Sequence, residues 1–225
     1  APGPPAAGRP VEPRGGGSVG CQGGGYLQGR AGGGLPGVVG RPRPLRLLGR
    51  PRLRRGCGEV FGQPRPAHNA STWALLRGAY QGVVGPHRSS IAPLSHASGF
   101  DVPVAVRQVP GKGRGVFATK PVSRGSLVWT ARRQTARFRD GAGYRRFLAS
   151  IPADLACDVM LWAYVQSMDR GGGDRMICVD LDEGSFMNSD SEGLANAGCD
   201  PKAADKLPGG CRDNLFALRD VARGQ

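Results

Sequence analysis

The chain has no run of eighteen apolar residues, which excludes a membrane-spanning helix, so no membrane partner is expected. Its six cysteines are Cys21, Cys57, Cys157, Cys178, Cys199 and Cys211. None belongs to a CxxC pair, which argues against a structural zinc site, and no metal is expected. Two lie in the first 98 residues. The other four read as reduced thiols of an intracellular protein, with nuclear, cytoplasmic or organellar placement left open. Residues 1–98 contain no lysine and only two acidic residues, against 13 arginines, a net charge of +11. Residues 99–225 carry 18 basic and 15 acidic side chains, so nearly all of the overall +14 resides in the first part. Aromatics are scarce there too, Tyr26 being the only one before Phe61. An RNA-binding tail wants repeated Arg-Gly-Gly units with interspersed aromatics. Only Arg14–Gly15–Gly16 qualifies, so nucleic-acid binding by this basic leader is weakly supported.

Glycine and proline are abundant instead. Residues 1–98 hold 22 Gly and 13 Pro without a strict period, which marks low complexity. Large apolar side chains are too few to offset the entropy of ordering. The chain therefore divides into a low-complexity, largely disordered leader over 1–98 and a folded domain over 99–225. Disorder is expected over 1–58, while Trp73 to Val84 reads as a short helix or strand interrupted by glycines. The first residue is not Met, so the natural N-terminus is expected upstream.

The second part alternates short strands with turns. Strands are predicted over Asp101–Gln108, Gly115–Thr119, Ser126–Thr130, Met176–Asp180 and Asn214–Val221. Tyr144, Phe147 and Leu148 have helical spacing over Gly143–Ser150. Pro152 starts a second helix, predicted to run to Met168 on Leu155, Val159, Trp162 and Val165 or Gln166. Ala195–Gly210 reads as loop. The fold class is α+β and β-rich, with a helical insert.

The most informative stretch is Gly111 to Val128, GKGRGVFATKPVSRGSLV. Gly111, Gly113 and Gly115 alternate with Lys112 and Arg114. Glycines let a backbone approach a ligand, and the basic residues favour an anionic or carboxylate-bearing one. A Walker A loop would need Ser or Thr after Lys112, where Gly113 stands. A dinucleotide fingerprint would need a helix, where Val116–Phe117–Ala118 reads as strand.

Three segments in order resemble SET-domain protein methyltransferases: this loop, Gly184–Ser185–Phe186–Met187–Asn188–Ser189, and Ala217 to Gly224, ALRDVARG. The second is similar to the family's R/GFxNHSCxPN, the third to its A-x-R-D-I-x-x-G. The resemblance implies a SET-domain, β-clip-like fold, S-adenosylmethionine as cofactor and a protein substrate presenting a lysine side chain. It implies that Lys112, Gly113 and Arg114 hold the methionine end of the cofactor, chiefly through backbone. Asn188 would bond the cofactor, Ser189 would add a weaker contact, and Phe186 and Met187 would pack beside it. Tyr164 reads as core packing or a channel aromatic, Trp129 and Trp162 as core.

Two departures qualify the activity. The signature His is absent, since His68, His87 and His96 all precede the domain. The family's catalytic Tyr falls beyond Gln225, so the chain reads as C-terminally truncated and its catalytic residue stays unassigned. The alternative is a catalytically inactive SET-like protein-binding module.

Overall fold

A computed structural model describes residues 57–58, 63–91, 98–169, 173–190 and 194–225. The expectation of disorder over 1–58 falls outside these residues, save Cys57 and Gly58. The described chain is mixed helix and sheet, with three small antiparallel sheets.

The glycine-rich stretch forms a hairpin of β1 (Val104–Val109) and β2 (Gly113–Ala118), in register from Val104 opposite Ala118 to Val109 opposite Gly113. Gly111 and Gly113 adopt φ of 72° and 77° at its tip. That left-handed region admits glycine without steric cost, so the glycines are what let the chain reverse here. The Lys112 amide donates to the Val109 carbonyl at 3.0 Å and closes the turn.

A second sheet orders β3 (Leu127–Thr130), β8 (Asn214–Ala217) and β7 (Ala197–Gly198). The third orders β4 (Thr135–Phe138), β6 (Arg175–Asp180) and β5 (Tyr164–Ser167). Helices α2 (Gly141–Ala149) and α3 (Ala153–Trp162) connect β4 to β5. Asp140 caps α2 by accepting from the Gly143 amide at 2.7 Å.

The main core gathers Phe138 of β4, Phe147 and Leu148 of α2, Val159 of α3, Val179 of β6 and Phe186. It also takes in Trp73, Leu76 and Tyr80 of helix α1 (Ala70–Val84), all three essentially inaccessible to solvent. This corrects the boundary drawn at residue 98. Gly78 and Gly82 weaken α1 in isolation, but its apolar positions repeat at helical spacing and bury against α2, which outweighs glycine's cost. Asn69 supplies the N-cap, accepting from the Thr72 amide at 2.9 Å.

Other corrections follow from pairing. The helix expected to run to Met168 ends at Trp162, because Tyr164 to Ser167 take ladder positions opposite Cys178 to Arg175. A strand at Thr135–Phe138 was hidden by its flanking arginines. The last strand stops at Ala217, and Ala195–Gly210 contains β7 and a short helix α4 (Pro201–Ala204) capped by Asp200. A further turn of helix, α5 (Gly210–Asp213), leads into β8.

Three of the four cysteines expected to be reduced thiols are bridged instead: Cys157 pairs with Cys57 of the leader, and Cys199 pairs with Cys211. Their Cα atoms lie 5.3 and 5.0 Å apart, within the span a bridge requires. Spacing of 100 residues in the first pair carries no hint of that approach. Cys178 remains a buried free thiol. No described helix is long and apolar enough to cross a membrane, and no described cluster of His, Cys, Asp and Glu has metal-binding geometry.

Candidate functional site

The glycine hairpin and the second motif meet. The Asn188 side-chain amide donates to the Arg114 carbonyl at 3.0 Å, across 74 residues of sequence. A short 3-10 turn, Glu183–Phe186, delivers Asn188 to that place. Gly115 is what permits the approach. A Cβ there would lie 2.7 Å from Val109 Cγ2 and 3.0 Å from Asn188 Nδ2. At Gly111 and Gly113 a Cβ would meet nothing within 4 Å, so the hairpin tip presents open backbone. Lys112 and Ser189 are both exposed near these elements, Lys112 on the tip and Ser189 after Asn188.

The third motif closes the base of the hairpin. Val221 and Val122 exchange backbone hydrogen bonds at 2.9 Å, and the Ala118 amide donates to the Gln225 carbonyl at 2.8 Å. Asp220 accepts from the Arg124 amide at 2.8 Å.

Arg114 sends its side chain inward, away from the tip. Its Nη2 donates to Asp158 Oδ1 at 2.6 Å, and its guanidinium lies 4.1 Å from the Phe186 ring centroid and 5.5 Å from that of Trp162. Asp158 also lies 3.0 Å from Arg65 Nη1 and 2.9 Å from His68 Nε2. Burial alone would raise the Asp158 carboxyl, but His68, Arg114 and Arg65 outweigh it and hold the group at about 2. The His68 ring packs edge-on against Trp73 at 5.0 Å and Trp162 at 5.6 Å. The arginine of the glycine loop is thus anchored by an acid on α3 and a histidine from the supposed leader. Asp158 is missed by the sequence analysis; the signal that could have found it is an acid inside the apolar run Leu155 to Val159, all of which is buried. His68 carries no such signal, because it lies in a Pro/Gly-rich stretch that reads as leader.

Beside this site, a recess of about 390 Å³ has Ala67, His68, Phe100, Val102, Val104 and Val106 among its lining residues.

Asp182 fastens the turn from below. Its carboxylate accepts from the Gly99 amide at 2.6 Å, the Gly184 amide at 2.9 Å and Trp129 Nε1 at 3.1 Å. Tyr164 belongs to neither the hairpin nor the tip. Its hydroxyl donates to Asp180 Oδ1 at 3.2 Å, and Thr135 Oγ1 donates to the same oxygen at 2.5 Å. Burial raises the Tyr164 phenol far above its ordinary value.

Burial also pushes the Asp180 carboxyl up to about 6, against the hydrogen bonds from Thr135 and Tyr164 that favour its charged form. A carboxyl whose folded-state pKa exceeds the unfolded value of about 3.9 stabilises the fold fully below that value. That contribution is lost as pH rises through about 6. Asp180→Asn is therefore expected to flatten the decline in stability between about pH 4 and pH 6, on the order of 3 kcal/mol in wild type. Urea midpoints across that range check it. An identical pH slope in wild type and variant would contradict the assignment.

No protein-family model matches the chain. No curated protein sequence matches it. Solved structures resemble it, among them the following two. One is a Plasmodium falciparum protein described as a histone methyltransferase, 12% identical, with a TM-score of 0.34, over 56% of this chain and 90% of that one. The other is the Neurospora SET-domain protein DIM-5, a histone lysine methyltransferase, 18% identical, also with a TM-score of 0.34. That match covers 56% of this chain and 50% of that protein.

Proposed function

We propose that this chain is an S-adenosylmethionine-dependent protein-lysine methyltransferase domain of the SET type. The observation that supports the reading is the meeting of Asn188 with the Arg114 carbonyl, because it joins the two segments that carry the sequence resemblance. The open, positive-φ backbone at Gly111 and Gly113 suits close approach of a ligand. Exposed Lys112 suits the carboxylate of the cofactor's methionine end. The guanidinium of Arg114 does not fit that role, since Asp158 holds it on the other side. Only its backbone remains available to the site. Gly113, the Arg114 backbone, Asn188 and Ser189 complete the set.

When bound, the cofactor supplies a sulfonium methyl group for in-line displacement by an amine. A lysine amine must be neutral to attack, and its ordinary pKa is about 10.4. An apolar surround lowers that value, and alignment supplies much of the rate. Tyr164 is engaged with Asp180, so it is not assigned a role at the amine. No catalytic residue is assigned. The absence of the signature His, whether Ser189 stands in its place or aligns with the family's Ser, favours, as a second reading, a module that binds without transferring.

Calorimetry with S-adenosylhomocysteine tests the first reading. Wild type is expected to bind. Asn188→Ala should weaken binding by roughly several-fold to tenfold, the loss of a hydrogen bond of about 0.5–1.5 kcal/mol. Gly113→Val, which places a β-branched residue at positive φ, should weaken it further. Folded wild type that gives no binding heat, or variants that bind like wild type, would sink the reading. In the full-length protein, binding without transfer of radiolabelled methyl to any protein lysine would select the second.

A further inference from the structure

The hairpin has a second face, opposite the one on which Arg114 meets Asp158. Side chains alternate along a strand, and residues paired across an antiparallel ladder share a face. Arg107 stands opposite Gly115, Val109 opposite Gly113 and Ala105 opposite Phe117. Arg107, Val109 and Phe117 therefore lie on the face away from the Arg114 side chain. Asn188 joins them. A Cβ at Gly115 would lie 2.7 Å from Val109 Cγ2, 3.0 Å from Asn188 Nδ2 and 3.3 Å from Phe117 Cε2. The glycine thus lets three side chains converge over it, and they form one patch with Arg107 across the ladder.

Arg107 is exposed, and its guanidinium carbon lies 5.4 Å from the centroid of the Phe117 ring. That contact holds the planar fork in place. No carboxylate pairs with it among the described residues. Arg65 and Arg114 reach Asp158, and Arg137 and Arg212 reach Asp213, all within 3.2 Å. Arg107 is by contrast a positioned guanidinium without an anion. Lys112 is exposed too, but it sits at the hairpin tip on a flexible stem. Asn188 donates through Nδ2 to the Arg114 carbonyl, and its Oδ1 accepts no hydrogen bond among the described residues. A guanidinium fork matches a carboxylate, and an amide oxygen accepts from an ammonium. Together they complement an α-amino acid group.

We propose that Arg107 determines which ligand the site accepts, by binding the carboxylate at the methionine end of S-adenosylmethionine. Asn188 Oδ1 accepts from the neighbouring ammonium, and Lys112 adds its charge from the tip. Arg107 supplies the guanidinium that Asp158 withholds at Arg114. This role rests on the proposed function and deepens it. A nucleoside that lacks the carboxylate forgoes the Arg107 contact and binds less well.

Calorimetry on the full-length protein tests it with two probes, S-adenosylmethionine and its decarboxylated form, which differ only in the carboxylate. Wild type is expected to prefer S-adenosylmethionine. Arg107→Ala should weaken S-adenosylmethionine by roughly five- to thirtyfold, the loss of charge-assisted hydrogen bonds from an exposed arginine. It should not weaken the decarboxylated form. Arg107→Lys keeps the charge and loses the fork, so it should fall between wild type and Arg107→Ala. A purely structural role would not produce this selectivity, since distortion of the hairpin weakens both probes. Arg107→Gln takes the place of the alanine variant should that one fail to fold. Equal weakening of both probes, or unchanged affinity for S-adenosylmethionine, overturns the role of Arg107 and leaves the proposed function standing. So does a wild type that binds the two probes equally well. Folded wild type that binds neither overturns the proposed function, and the role of Arg107 with it.

Discussion

Trp73→Ala is expected to destabilise the domain by about 3–5 kcal/mol, the range for deleting a large buried aromatic. Trp73 is fully buried and sits in an aromatic group with His68, Trp162 and Phe186, at centroid distances of 5.0, 6.4 and 5.7 Å. Alanine would leave a cavity between α1, α3 and the turn that carries Asn188. Trp73→Phe should cost much less. It keeps most of the ring contact and removes an indole N–H that has no hydrogen-bond partner among the described residues. Urea unfolding gives both values. The comparison also bears on the domain boundary. If Trp73→Ala costs under about 1 kcal/mol, as a surface change would, α1 is not part of the folded unit and the boundary belongs near residue 98 after all. If it costs the larger amount, a chain beginning at Gly99 should fail to fold cooperatively.

Asp158→Ala should cost a similar amount, about 3–5 kcal/mol, for an electrostatic reason. The variant keeps the Arg114 guanidinium buried without its anion and removes the shared partner of Arg65 and His68. The loss should depend on pH in a defined direction. The Asp158 carboxyl is held at about 2, below the unfolded value of about 3.9. Its contribution is therefore complete above about pH 4 and is lost as pH falls towards about 2. The gap between wild type and Asp158→Ala should narrow over that interval. Combining Asp158→Ala with Arg114→Met should recover part of the stability, because it removes the orphaned charge. A small deficit that does not change with pH would show that the cluster is solvated and carries little energy.

Much of the local structure was legible from short-range chemistry. The alternation of Gly111, Gly113 and Gly115 announced a hairpin, because positive φ at a tip restricts the residue type. Tyr144, Phe147 and Leu148 marked the buried face of α2 through their spacing. The order of the three motifs also marks out Arg114 and Asn188, which are in contact in the fold. Where the reading slipped, a nonlocal partner had overruled a local preference. Tyr164 to Ser167 continue a helical pattern, yet β6 offers hydrogen bonds that a helix would forgo. Thr135 to Phe138 look too charged for a strand, yet Arg137 finds Asp213 at 2.7 Å.

By itself, then, the sequence determined the hairpin, the apolar faces of its helices and the sites where glycine is required, since each follows from periodicity or from φ at one residue. Only the tertiary structure decided that α1 belongs to the domain, that Cys57 pairs with Cys157, and that Arg114 turns from the loop towards His68 and Asp158. Those facts depend on which distant surfaces meet. The energy that selects them, burial of Trp73 and pairing of a desolvated carboxylate, exists only once segments some 90 residues apart have come together.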